Sequence, residues 1–184
     1  MEIQLISEAL FKENSPIKED TVISKFIPYI GLAQRIYLDR ILGAALVKEL
    51  KDQIKAAQAD PAPDPNPITP ANRALLQLIA PPLAFYAVYQ GLPFHWAGIQ
   101  NKGVTIAESE NSKGVNINDI AQLRRWLRDD ADALASDLRR YLCSCKGTYP
   151  LWSPAAGYGC QDGDGCDGEN RSAGTDFGIF IPRR

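Results

Sequence analysis

Histidine occurs once in the 184 residues, and the four cysteines all fall between Cys143 and Cys166. Each scarcity narrows the chemistry. A catalytic triad or general base that needs an imidazole has one candidate, His95, which sits in LPFHWAG between Phe94 and Trp96. That setting reads as a packed, hydrogen-bonded histidine. Cysteines confined to one stretch do not form the evenly distributed staples of a small disulfide scaffold. No basic excess is present either: the formal net charge is −2, without the positive face that nucleic-acid recognition requires. Uninterrupted apolar runs stay below the roughly 18 residues of a membrane span. The opening MEIQLISEALFKENS carries neither a basic region nor a continuous apolar one, so it is not read as a signal peptide. A chain with no membrane partner, made in the cytoplasm, is expected. Phosphate-binding loops, dinucleotide glycine fingerprints, nucleophile elbows and paired-histidine zinc motifs are also missing. The chain is therefore read as a non-enzyme with no cofactor.

What is present is mostly helical pattern. Ile3, Leu5, Ile6, Leu10 and Phe11 form an apolar patch that reads as a short docking strand or turn. From Thr21 onward, Ile23, Phe26, Ile30, Ala33, Tyr37 and Ile41 recur at helical steps, with Pro28 starting or kinking the helix. Gly43 is placed to end it, and AALVKELKDQIKAAQA reads as the next helix. DPAPDPNPITP then allows neither helix nor central strand, because each proline removes a donor and fixes φ. It reads as an extended, exposed connection. Thr69-Pro70 is a strong helix start, a capping hydroxyl followed by proline in the first turn. The segment after it is apolar almost all round, with Pro81-Pro82 expected to kink or split it. Lys102-Gly103 and Lys113-Gly114 punctuate a short hairpin or extended loop.

The last helix is the clearest. Asn118 is the expected cap, and Ile120, Leu123, Leu127, Ala131, Leu134, Leu138 and Tyr141 mark its inner face. Its other face mixes Arg124, Arg125, Arg128, Asp129, Asp132, Arg139 and Arg140, a solvated or subunit-facing surface. The fold class that follows is mainly α: a bundle of about four to five helices over residues 1–145. A short hairpin or loop precedes the last helix, and residues 146–184 form an extended arm.

The arm carries the remaining motifs. Cys143, Cys145, Cys160 and Cys166 could hold zinc, pair as disulfides or stay free; the C-x-C and C-x5-C spacings are not those of usual zinc knuckles. Asp162, Asp164 and Asp167 fail the EF-hand pattern at its fifth and sixth positions, where Cys166 and Asp167 stand. A solvated acidic loop is the better reading. The final FGIFIP is apolar in otherwise glycine-rich surroundings, a composition suited to docking on another chain.

Two stretches, residues 23–50 (ISKFIPYIGLAQRIYLDRILGAALVKEL) and 103–142 (GVTIAESENSKGVNINDIAQLRRWLRDDADALASDLRRYL), together resemble the head–tail connector proteins of tailed bacteriophages. The resemblance lies in order and spacing: an apolar helix, a glycine-terminated turn, a second helix, then a polar loop and a long final helix. It implies a structural virion protein at the neck, assembled in the host cytoplasm into a homo-oligomeric ring, about twelvefold. That ring would bind the portal and a downstream neck or tail component, and would pass DNA without gripping it. Phe177, Ile179, Phe180 and Ile181 would then dock on the portal or a neighbouring subunit. Arg124, Arg125, Arg128, Asp129 and Asp132 would lie between subunits, and Lys102 and Lys113 would face the channel or a partner. Two other readings stand beside this one: a small regulatory or interaction module whose cysteine arm binds zinc, and an enzyme built on His95.

Overall fold

The computed structural model describes residues 3–17, 23–59, 66–100, 103–106 and 117–160. Among the described residues six α-helices and one hairpin follow in chain order: α1 (Glu8–Asn14), α2 (Ile27–Ala33), α3 (Asp39–Leu42), α4 (Ala44–Gln58), α5 (Pro70–Trp96), β1 (Ala97–Gln100), β2 (Gly103–Ile106) and α6 (Ile117–Ser144). The fold is a mainly helical bundle with a short hairpin before its last helix, as the sequence pattern implies.

The N-terminal segment is corrected in part: Glu8–Asn14 is a helix rather than a strand or turn, while Ile3, Leu5 and Ile6 precede it in non-helical backbone. The Ser7 hydroxyl accepts from the Leu10 amide, which satisfies one of the free donors at the start of α1, and Phe11 is driven into the core. Leu5 hangs its amide on the buried Gln34 side chain, at 3.0 Å. Gln34 opens a π-helical turn, Gln34–Leu38, between α2 and α3. The extra residue of that turn rotates the helix, so Gln34 and Leu38 are buried along with Ala33.

α5 is the central element, in contact with α1, α2 and α6. By length and composition it could cross a membrane, which the run-by-run sequence reading missed; here most of its apolar surface is covered by the other helices. Thr69 caps it as expected, its hydroxyl accepting from Asn72 N. Asn72 in turn donates to Glu49 at 2.9 Å, tying α5 to α4. Of the two expected outcomes, a kink or a split, the split does not occur: α5 runs unbroken through Pro81-Pro82. The carbonyls that lose helical donors belong to Gln77 and Leu78, both exposed, where water can replace the missing N–H groups. Pro82 itself is fully buried among Ala80, Leu83 and Ala84. Its ring therefore contributes to the core while the polar cost falls at the surface.

The hairpin leaves α5 directly, antiparallel, with Ala97 opposite Ile106 and Gln100 opposite Gly103. α6 begins at Ile117, one residue before the expected cap, so Asn118 lies inside the first turn. Its buried face is Ile120, Leu127, Ala131, Ala135, Leu138 and Leu142. Leu123 is exposed and Leu134 and Tyr141 only half-buried, a rotation of the expected face toward Ala135 and Leu142.

The expected boundary at residue 145 does not coincide with a break in packing. Residues 146–160 fold back over the α3–α4 corner, where Trp152 Nε1 donates to the Ile41 carbonyl at 2.8 Å and Ala155 N to the Arg40 carbonyl at 2.9 Å. Those carbonyls are among the last of α3 and have no donor within the helix, so the returning chain caps it. Gly43 makes the close approach possible. Its φ is +80°, and a Cβ there would sit 2.0 Å from the Ser153 carbonyl oxygen. The strap is fixed at both ends. Tyr149 is buried, donating to the Ala71 carbonyl at 2.9 Å, and Cys143 and Cys160 form a disulfide.

Candidate interaction surface on the last helix

Among the arginines and aspartates of α6, one set lines the border with α5 and another points straight outward. Arg124, Arg128 and Asp132 recur every four residues along the border with α5 and meet a tyrosine cluster there. Tyr37 and Tyr86 stack face to face, with ring centres 4.0 Å apart and planes 5° from parallel. Gln90 Nε2 donates to the Tyr37 hydroxyl at 2.6 Å, and the Tyr86 hydroxyl donates to Asp132 Oδ1. Asp132 also lies 3.6 Å from Arg128 Nε. Burial, then the hydrogen bond to Asp132, pushes the Tyr86 hydroxyl far above its ordinary value of 10. Burial likewise raises Tyr37, partly offset by the bond from Gln90. Both phenols thus stay protonated and neutral at physiological pH, Tyr86 as a donor and Tyr37 as an acceptor, unsuited to act as bases or nucleophiles. Arg128 is raised by the neighbouring Asp132 charge and stays a cation.

Arg124 owes its position to a proline. Pro93 has no N–H, so the Tyr89 carbonyl one turn earlier lacks its helical donor. Arg124 Nε supplies one, at 3.4 Å, while its guanidinium carbon sits 4.4 Å above the Tyr89 ring. The Pro93-to-Tyr89 spacing was a signal available in the sequence; the partner on α6 was not.

Arg125 and Asp129 point outward and make no ion pair with another described residue. Beside them stands a residue the sequence reading passed over, Trp126, which is 58% exposed, with Leu123 one turn before it at 40%. An exposed tryptophan beside a leucine on a long surface helix is the kind of apolar spot that marks contact with another macromolecule.

Other expected sites fare differently. His95 is exposed, its ring 5.3 Å from that of Phe26, rather than packed inside; Phe94 beside it is exposed and stacked on Tyr29. Cys143 and Cys160 are consumed by their disulfide, so in this state they cannot serve as zinc ligands. Cys145 is a free thiol, half-buried next to Ser144. Among the described residues no group of three or more histidine, cysteine or acidic side chains could hold a metal. Lys102, Lys113, Cys166, the three aspartates of the acidic loop, and Phe177, Ile179, Phe180 and Ile181 lie outside the described residues.

Residues 38–162 match the model of a family of unknown function, DUF6712. The chain belongs to this family. The matched region runs from the π turn to two residues beyond Cys160, so the family unit takes in α4, α5, the hairpin, α6 and the strap with its disulfide. It leaves out α1 and the segment that ends in FGIFIP. No curated protein and no solved structure matches the chain.

Proposed function

We propose that this DUF6712 member is a non-enzymatic structural protein of a tailed-phage virion, assembled as a ring at the neck. It would bind the portal and continue the DNA channel from head to tail. The observation that carries this reading is the outer surface of α6. A 28-residue helix presents Arg125, Asp129, Trp126 and Leu123 to solvent while its other side is anchored to α5 by the tyrosine cluster. Such a rigid, charged and partly apolar face suits assembly better than it suits catalysis. The C-terminal Phe177, Ile179, Phe180 and Ile181 are the proposed portal-docking residues. Each would contribute about 1.5–3 kcal/mol on burial, before ordering costs.

Quantitative mass spectrometry of virions purified from cells that produce this chain during phage growth tests the reading. A copy number near that of the portal subunit is expected. Absence from the particle would sink the neck assignment.

A further inference from the structure

The two exposed flanks of α6 differ in sign. On one, Asp119, Leu123, Trp126, Asp130, Ala133 and Asp137 follow each other at alternating four- and three-residue steps, which places them in one seam along the helix. Its charged members are all aspartates; Asp137 is paired with Arg140 at its border. On the opposite flank Arg125 and Arg128 share a seam with Asp132, which is occupied by Tyr86 and Arg128, so Arg125 is the cation this seam offers outward.

We infer that a second copy of this chain docks with its basic α6 flank against the acidic, tryptophan-bearing flank of the first. Charge complementarity selects the occupant. Each flank finds on another copy of the same protein the sign it lacks, together with an apolar anchor for its arginines. Trp126 offers an indole face to a guanidinium, and tryptophan and arginine are the residue types that most often dominate such contacts. The signs exclude seating a flank on its own copy, which would set aspartate on aspartate or arginine on arginine; a basic flank seated alone on the acidic flank of the next copy leaves a free flank at each end and propagates head-to-tail. At 28 residues α6 is about 42 Å long, enough for several turns of contact.

This inference rests on the ring reading for its closure into a ring, but its contact is testable alone. Sedimentation velocity of the full chain over a wide concentration range should show association that weakens with added salt. Trp126→Ala should weaken it at least tenfold while circular dichroism and Tm stay unchanged. Arg125→Glu and Asp130→Lys should each weaken it, and an equimolar mixture of the two should associate more strongly than either alone. A wild-type chain that remains monomeric at millimolar concentration overturns the inference, as does a Trp126→Ala variant that associates normally. Protection of Trp126 from an aqueous fluorescence quencher in the dilute monomer would also overturn it, by showing that the chain covers this flank itself. Self-association through this flank in a chain absent from virions would remove the neck reading alone. A virion component that does not self-associate would remove this inference alone.

Discussion

α5 and α6 are almost equal in length, 27 and 28 residues, yet they use their surfaces in opposite ways. α5 is apolar almost all round, carries three prolines beyond its first turn, and is surrounded by α1, α2 and α6. α6 buries one stripe and leaves charge, a tryptophan and a leucine outside. One helix is spent on holding the fold together. The other is half available, and the place where they meet, the tyrosine cluster, keeps that available half from rolling about its own axis.

The sharpest way to break this contrast is to cut into α5. Leu83 is fully buried, and Leu83→Ala should cost about 2–5 kcal/mol of unfolding free energy in denaturant titration, since lost transfer energy and a residual cavity add together. A cost below 1 kcal/mol would mean that α5 is not the centre of the core.

The seam should respond less. Tyr86→Phe removes the hydrogen bond to Asp132 and should cost about 1 kcal/mol near neutral pH. It also changes the alkaline limb. The folded Tyr86 hydroxyl titrates well above the value of 10 that it has in the unfolded chain. Below pH 10 both states hold the proton and its contribution is intact. Above pH 10 the unfolded chain loses the proton first, so stability falls as pH rises toward the folded value. Tyr86→Phe should therefore flatten the loss of Tm between pH 9 and 11, leaving the parts due to Tyr37 and Tyr149, which burial also raises. An unchanged slope would place the alkaline sensitivity elsewhere.

The outer pole of α6 should respond least. Gln122 is exposed, and Gln122→Ala should move stability by no more than about 0.5 kcal/mol. A larger loss would show that this surface is already covered within the monomer.

Much of the fold was legible locally. Gly43 as a helix stop, Thr69-Pro70 as a start, the body of α4, the hairpin and the extent of α6 all follow from capping chemistry and period. What escaped depended on distant partners. Glu8–Asn14 became a helix because Ser7 caps it and Phe11 has a core to enter, neither of which a seven-residue period can announce. Pro81-Pro82 was tolerated because the orphaned carbonyls belong to exposed residues, a fact about burial rather than about proline. The mixed charges of α6 were read as one surface. Their division was set by Tyr86 and Tyr89, 35 or more residues earlier in the chain, and by a carbonyl freed by Pro93. The exposure of Trp126 had no sequence signal, since a tryptophan at that spacing suits a core equally well.

The disulfide between Cys143 and Cys160 has a geometric consequence for the end of the chain. With Cα atoms 5.7 Å apart, it brings residue 160 back to the foot of α6, after the strap has made its excursion to the α3–α4 corner. Residue 160 is therefore held on the same helix that carries the interaction surface, and chain length alone bounds how far from it Phe177–Ile181 can act, at most roughly 75 Å. If those residues dock as proposed, their socket falls within that radius of Cys160, and each copy of the chain measures the radius from the same point on its own α6.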